Sequence, residues 1–591
     1  MATNSISSFS SSSSSSLMSP PDLQLIEDMT RQAEEVQQNV LSQILTQNAE
    51  TEYLKGLGLD GATDIETFKS KVPVVTYEDI RLLIRKMADG DPSSILCAQP
   101  ITEFIFSSGT TAGVPKLIPS TDEERDRRMH LVDLITPVMN QYIKGLTEGK
   151  VLYFTYARPE LITEGGIPAR SAITSLYKSA TFITRQSFPY SAYTSPNEAI
   201  LCLDTHQSTY AQLLCGLYER EQVLSIGASF ASTLLLVIKF LELNWKHLAQ
   251  TIRAGFVDPN LMTHASTREV VSRTMRPDPD LADLITRECA SSDWEGIIIR
   301  IWPNARYLDV IATGPMAQYI PTLNHYSGGL PIASTIYVSS ECFLGINLNP
   351  LRTPPEASSY TLMPHMAYFE FLPHGGGGEG PIDLVNVELG KEYEVVVTTR
   401  TGLYRYRMGD VLRVSGFHNR APEFMFVGRK SVLSSVNGEK VDEAELQAAV
   451  EEAAAVLARE CGTGLVDYTS RTDNTVAPGH YIVYWELQEK GSQALGDVLA
   501  RCCLTVEESF NWVYRMLRAA DKSIGPLEIR VVRMGSFSEL MEQAISRGAS
   551  LSQYKVPRCV RSKEMVDLLD SRVVSTHFSP SMPHWSLKTP I

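Results

Sequence analysis

Three short segments hold side chains whose types and spacing suit phosphate and ribose chemistry. The first is SSGTTAGVPKLIP, residues 107–119, set between the apolar run EFIF and a polar helical pattern. Its glycines let the backbone approach a ligand closely, Ser107, Ser108, Thr110 and Thr111 bring hydroxyls, and Lys116 brings charge for anionic oxygens. It reads as a phosphate loop turning about Gly109 and, taken alone, equally as a Ser/Gly surface turn. A Walker loop is a different pattern, because Gly109 and Gly113 stand four apart and Leu117 follows the lysine. The second segment is YVSSE, residues 337–341, at the end of an apolar strand in what reads as a parallel sheet, where ligands gather beyond the carboxyl ends. Glu341 is a candidate magnesium ligand, since that ion takes few protein carboxylates and completes its shell with water and phosphates. Without further context it reads as a strand-end glutamate in solvent. The third is LYRYRMGD, residues 403–410, in which the Asp410 carboxylate can accept from the paired hydroxyls of a ribose. On their own, Arg405, Arg407 and Asp410 read as surface ion pairs, which stabilise little.

Such groups need a scaffold, and the 591 residues are long enough for two to four domains. Residues 22–49 carry apolar side chains at the three-and-four spacing of an amphipathic helix. From Cys97 onward EFIFSSGTTAG, a helical pattern over residues 122–142 and the strand VLYFTYA alternate. Further strand-like runs are IIIRIWP, YLDVIATG, IASTIYVSSE, MAYFEFLP and YEVVVTTR, with a glycine run at 375–378 among the loops. This rhythm predicts an α/β domain over residues 22–428. A second pattern then begins, with a helix over 441–459, an alternating strand HYIVYWEL, a helix around 505–520 and the strand LEIRVVRM. It predicts a smaller α+β domain over 429–591, and the polar, glycine-bearing junction suggests a hinge near 429–431.

Composition closes off other classes. Lys+Arg 53 against Asp+Glu 68 gives −15, a charge that repels nucleic acid. Nine cysteines without a C-x-x-C pair argue against a disulfide framework or a zinc site. The most apolar stretch, residues 228–245, is interrupted by polar and charged side chains and reads as a buried helix rather than a membrane span. Residues 1–21 are serine-rich and contain no Lys or Arg, the composition of a disordered tail on a cytoplasmic protein rather than of a targeting peptide. No two histidines are four apart, and neither G-x-S-x-G nor a strand-following G-x-G-x-x-G is present, so zinc hydrolase, serine esterase and Rossmann dehydrogenase are unsupported.

Taken together, the Ser/Thr/Gly segment ending in lysine, S-S-E and Y-R-x-G-D resemble the plant acyl-acid amido synthetases, acyl-adenylate-forming enzymes related in fold to firefly luciferase. IPARSAITSLYKS, MAQYIPTLNHYSGGLP, MPHMAYFEFLPH, GFHNRAPEFMFVGRK and SQYKVPRCV extend the resemblance over nearly the whole chain, and DRRMHLVDLITPVMNQY is most similar to the auxin-conjugating branch. The resemblance implies a large adenylate-forming domain of β-sheets flanked by helices and a smaller, mobile C-terminal domain. It implies ATP and Mg²⁺, and a reaction in two halves: a hormone carboxylate, indole-3-acetate first, attacks the α-phosphate of ATP, and an amino-acid amine then takes the acyl group. Ser107, Ser108, Gly109, Thr110, Thr111, Lys116, Thr313, Gly314, Tyr337, Ser339, Ser340 and Asp410 are implied to hold the nucleotide, Glu341 the metal. Lys440 and Lys555 of the small domain are implied to serve catalysis in alternative domain orientations. Thr136, Met139, Ser229, Ile336 and Val338 are implied to line the acyl pocket, with Tyr156, Arg158 and GGIPAR nearby.

The sequence departs from the family at Thr111, at Val114-Pro115, at Val338, where a smaller residue is usual, and in SVLSSVNGEK. A β-branched Val338 reshapes the acyl pocket, so adenylation carries over more directly than the choice of acid. Jasmonate or a benzoate as the acid, a carboxylate-to-CoA ligase and a non-catalytic hormone-binding protein are the competing readings. The expected partners are small molecules, without nucleic acid or membrane, acting on a monomer.

Overall fold

The computed structural model describes residues 23–111, 114–185, 193–374, 380–429, 435–488, 495–546, 556–560 and 562–586. The serine-rich tail, residues 430–431 of the expected hinge, the glycine run and Lys555 lie outside the described residues.

Four sheets organise the chain. Strands Lys150–Phe154, Val223–Phe230, Tyr307–Ile311 and Ile332–Ala333 lie side by side, all parallel. Their alternate side chains Leu152, Phe154, Ile226, Ala228, Leu308 and Val310 are sealed against a helical layer that includes Ala231–Ala254 and Pro279–Cys289. An eight-stranded antiparallel sheet runs in the order Ile382–Asp383, Tyr368–Pro373, Glu392–Thr398, Tyr406–His418, Ala421–Arg429, Tyr360–Leu362, Phe343–Ile346 and Ile336–Val338. A small sheet pairs Glu103–Thr111 with Val114–Ser120 and, on its other edge, Pro168–Arg170. The C-terminal sheet orders Leu465–Asp473, His480–Leu487, Glu528–Val532 and Val573–Phe578. The whole is a large α/β region followed by a smaller α+β domain.

Several elements differ from the sequence expectation for identifiable reasons. IIIRIWP forms the helix Ile297–Ile301 rather than a strand. Gly296, at φ +65°, turns the chain into it, Trp302 Nε1 closes it by donating to Gly216 O at 2.8 Å, and Ile297, Ile298 and Ile301 are buried in the helical core. Tertiary burial overrides the β-propensity of an isoleucine run. IASTIYVSSE divides between two sheets, so YVSSE ends an antiparallel edge strand and not a parallel one. The single helices expected at 22–49, 122–142 and 505–520 are each broken in two, the last at Asn511, whose Oδ1 caps Trp512–Ala519 by accepting from Tyr514 N at 2.9 Å. The stretch 228–245 begins as the end of a strand and becomes helical at Ala231. HYIVYWEL is buried on both faces: Tyr481, Val483 and Trp485 meet the Glu443–Cys461 and Leu495–Ser509 helices, while Ile482 and Tyr484 meet Ser536–Ser546 and Lys563–Ser571. Among the described residues no helix is long and apolar enough to cross a membrane.

Arg405 is no surface residue. Its guanidinium is buried and makes a two-pronged pair with Glu370, Nε to Oε2 and Nη2 to Oε1 each at 2.9 Å, while Nη1 donates to Val72 O and Lys69 O. This anchors the strand that carries Asp410 to the helix Ile65–Lys71. Arg407 pairs with Glu394 on the neighbouring strand.

Candidate active site

Residues 332–346 cross from the parallel sheet to the edge of the antiparallel one, and the turn between Ile336–Val338 and Phe343–Ile346 is fixed by its own serines. Ser339 Oγ donates to Cys342 O at 3.0 Å and accepts from Cys342 N at 3.2 Å. Ser340 Oγ donates to Phe106 O at 2.9 Å, and Arg128 Nη2 donates to Ser340 O at 3.4 Å, so the turn is tied to the 103–120 hairpin and to helix Asp122–Asp133. Inside this turn Glu341 is only 2 % exposed, and its Oε1 has no hydrogen-bond partner among the described residues. A carboxylate oxygen sealed from water without a donor is costly, and a cation at that position would offset the cost. The residue therefore fits a metal ligand better than a glutamate in solvent.

Four residues before Glu341, Tyr337 brings several nucleotide candidates together. Tyr337 OH donates to Asp410 Oδ2 at 2.7 Å, and Asp410 is buried. The Tyr337 ring packs beside Tyr360 and Phe426, with centroids 5.7 and 6.3 Å away. Tyr360 OH in turn lies 2.7 Å from Ser334 Oγ and 3.3 Å from Thr313 Oγ1. Gly314 follows at φ +59°, and a Cβ there would lie 3.1 Å from the Phe426 ring. Thr313, Gly314, Tyr337 and Asp410 are thus one aromatic-lined group.

The segment read as a phosphate loop is a β-hairpin, with a register irregularity between Phe106 and Thr110. Ser107 is buried, Ser108, Gly109, Thr110 and Thr111 continue the strand, and Lys116 Nζ lies 5.3 Å above the Tyr77 ring. Tyr77 OH accepts from Leu117 N at 2.9 Å, which holds the second strand in place.

The acyl candidates separate. Ile336 and Val338 flank Tyr337 and are half-buried, and Val338 pairs with Phe343, over whose ring the Arg128 guanidinium lies at 5.6 Å. Ser229 is half-buried at the end of its strand beside the Tyr153 phenol. Met139 is buried against Tyr307 and Ala333. Thr136, on the same helix Ile135–Tyr142, is exposed and does not join them. Tyr156 is a half-buried partner of Thr209, while Arg158 reaches Asp521 of the C-terminal domain at 3.0 Å. GGIPAR ends in the strand Pro168–Arg170, whose Arg170 pairs with Glu160 at 3.0 Å.

Lys440 is half-buried and stands where the two domains meet. Its turn is shaped by the buried Glu439 carboxylate, which accepts from Val436 N, Asn437 N and Tyr481 OH. Across the interface Ser232 Oγ donates to Asn437 Oδ1 at 2.6 Å and Tyr319 OH donates to Val436 O at 3.3 Å. Gly438 lies against the Phe230 ring, next in sequence to Ser229. Asn511 Nδ2 donates to Lys440 O at 3.1 Å and to Glu445 Oε1 at 2.8 Å. Burial pushes the Glu445 carboxyl up to about 7 against the pull of those bonds. Asn511→Ala, which removes a helix cap and leaves Glu445 without these donors, is expected to lower the unfolding free energy by about 1–3 kcal/mol in chemical denaturation. No measurable change would contradict the described network.

One group went unnoticed in the sequence. Asp309 lies on strand Tyr307–Ile311, and its Oδ1 accepts from Thr335 Oγ1 at 3.0 Å. Burial pushes its carboxyl up to about 6 from an ordinary 3.8. A raised folded-state value means the folded protein holds this proton more tightly than the unfolded chain. The associated stability is fully present below the unfolded value and is lost as pH rises through the folded value near 6. Asp309→Asn, which does not titrate, should melt above the parent at about pH 7.5, with a margin that shrinks as pH falls from about 6 to about 4. A margin independent of pH would contradict this. The signal in the sequence was a lone acid inside the apolar run YLDVI.

Comparison with known proteins then places the chain. Residues 22–332 match the GH3 family N-terminal domain, 360–429 the GH3 family central domain and 444–564 the GH3 family C-terminal domain. The chain belongs to the GH3 family. Similar curated relatives include the probable indole-3-acetic acid-amido synthetase GH3.1 of Arabidopsis thaliana, 57 % identical over 566 residues, with 95 % of each chain covered. Another is the indole-3-acetic acid-amido synthetase GH3.8 of Oryza sativa subsp. indica, 56 % identical, with 95 % of this chain and 94 % of the relative covered. Among solved structures, the GH3.15 acyl acid amido synthetase is 47 % identical with a TM-score of 0.67, covering 95 % of this chain and 98 % of its own. The GH3 central match spans the strands from Tyr360–Leu362 to Ala421–Arg429, including Asp410, whereas Tyr337 and Glu341 fall between the N-terminal and central matches.

Proposed function

We propose that this GH3 protein is an ATP-dependent amido synthetase that joins indole-3-acetate to an amino acid and so lowers the free hormone. The observation that carries the reading is the Tyr337–Asp410 hydrogen bond beside Tyr360 and Thr313, with the buried, unpartnered Glu341 oxygen four residues further along the same segment, in a chain this similar to indole-3-acetic acid-amido synthetases. In the first half-reaction a carboxylate oxygen of the acid attacks the α-phosphorus and pyrophosphate leaves. In the second the amine nitrogen attacks the acyl carbon, AMP leaves with the carbon–oxygen bond electrons, and the amine gives up a proton.

Displacement at phosphorus asks chiefly for positioning and charge neutralisation. Asp410, held by Tyr337, receives the ribose hydroxyls. Tyr360 and Phe426 with Tyr337 provide flat surfaces for the base. The hairpin that carries Ser107 and Lys116 is assigned to the phosphates, and Ser339 and Ser340 fix the turn before Cys342. Glu341 would hold Mg²⁺, which supplies charge neutralisation at the phosphates. Among the described residues no three His, Cys, Asp or Glu side chains gather into a metal site, so water and phosphate oxygens would complete the shell. Lys440 and Lys555 act from the small domain in alternative orientations. Ser229, Ile336 and Val338 line the acyl pocket with Met139 behind them, and Thr136 stays outside it.

The experiment is a stepwise one. Protein mixed with ATP, Mg²⁺ and indole-3-acetate should release a burst of about one pyrophosphate per chain, and turnover should continue only when an amino acid is added. Continuation on coenzyme A instead would favour the thioester ligase, and acid binding without a burst would favour a binding protein.

A further inference from the structure

The parallel sheet has two unlike faces. Leu308 and Val310 are sealed in the helical core, whereas Asp309 and Ile311, on the opposite face of the same strand, keep some accessible surface. Register places Tyr153, Gly227, Asp309 and Ala333 in one row across the sheet. Ser229 and Ile311 stand one step further toward the carboxyl ends, and beyond them come Thr313 and Tyr337. Asp309 is therefore about 13 Å down the strand from Thr313 by strand rise, on the partly exposed face that leads up to the nucleotide group.

A Cβ on Gly227 would fall 3.0 Å from Asp309 Cβ, 2.9 Å from Tyr153 Cδ2 and 2.3 Å from Asp309 O. Only glycine fits there, because the Tyr153 ring and Asp309 pack directly onto it from the two neighbouring strands. The charged and titratable groups facing Asp309 are the phenols of Tyr153, Tyr177, Tyr307 and Tyr360, and burial raises all four. No cation figures among the groups that set its own ionisation, and Thr335 is its hydrogen-bond donor. A carboxylate kept in such a place without a cation costs stability, and a donor on a bound ligand would offset that cost.

We propose that Asp309 selects the acyl ring, its carboxylate accepting a hydrogen bond from a ring N–H of the bound aromatic acid. Acids built on an N–H heterocycle are thereby preferred to acids of the same shape without that hydrogen. The inference deepens the amido synthetase reading and rests on it for the identity of the acid.

The test compares indole-3-acetate with benzothiophene-3-acetate, in which sulfur replaces the N–H. In the parent, kcat/KM for pyrophosphate release should favour the indole acid by about 10- to 100-fold, the range of a hydrogen bond to a charged group. Asp309→Ala should bring the ratio to within about twofold of unity by loss on the indole arm alone. Asp309→Asn, which keeps the volume and one acceptor, should fall between and serves if the alanine variant does not fold. A parent ratio near unity, or a proportional loss with both acids, overturns the proposal. Calorimetric binding of the two acids reads the same ratio without turnover. A protein that binds both acids but releases no pyrophosphate sinks the synthetase reading and leaves that ratio to decide on Asp309, whereas a protein that binds neither overturns both.

Discussion

Glu341→Gln is expected to lower acid-dependent pyrophosphate release by about 10²- to 10³-fold, the loss typical when one charge-stabilising group is removed from a reacting centre. The substitution keeps volume and shape and removes only charge. Because Oε1 has no hydrogen-bond partner among the described residues, the amide gives up no described bond at that oxygen, and the fold should hold. A second readout separates metal binding from general damage: the Mg²⁺ concentration giving half-maximal rate should rise sharply in the variant, while nucleotide binding without metal should change little. A rate within twofold of the parent, or a lower rate with an unchanged Mg²⁺ requirement, would remove Glu341 from the metal site.

Arg405→Met is expected to cost about 3–5 kcal/mol of stability, because it strips the partner from a buried carboxylate. Glu370 is fully buried and Arg405 nearly so, at 0 % and 6 % exposure. Burial already pushes the Glu370 carboxyl upward even with the guanidinium in place. Arg405 also ends the chain excursion from Thr398 with a left-handed φ of +47°, and its Nη1 holds Val72 O at 2.8 Å. The double variant Arg405→Met, Glu370→Leu removes both charges together and should recover most of the loss. Urea unfolding of the three proteins measures this, and a single-variant cost under about 1 kcal/mol would show that water reaches the pair.

What could be read from the sequence followed from how local each signal is. YVSSE and the Y-R-x-G-D segment put several polar side chains at consecutive positions after apolar runs, and the fold brings Tyr337 and Asp410 within a hydrogen bond. The strands YLDVI, YFEFLP and YEVVVT formed because their residues favour extended backbone and their neighbours in space demand the same. Failures arose where the partner is remote in sequence. Nothing near Ile297 announces that Gly216 will take the Trp302 indole, so an isoleucine run reads as strand. Nothing near Arg405 announces Glu370, so a buried pair reads as surface charge. Asp309 was invisible because one acid in an apolar strand is usually turned to solvent, and only the register across three neighbouring strands shows it on the face opposite the helical core, beside the Tyr153 phenol. Ser232 and Asn437 are also far apart in sequence, and the docking of the small domain rests on such pairs.

The most direct test of the account is mass analysis of the products formed from ATP, Mg²⁺, indole-3-acetate and a mixture of the common amino acids. The account predicts an indole-3-acetyl amino acid, with AMP and pyrophosphate formed in equal amounts and with no amide and no continuing turnover when either the acid or the amine is omitted. ATP left intact by a folded protein, or continuing turnover of the acid without an amine, would contradict it.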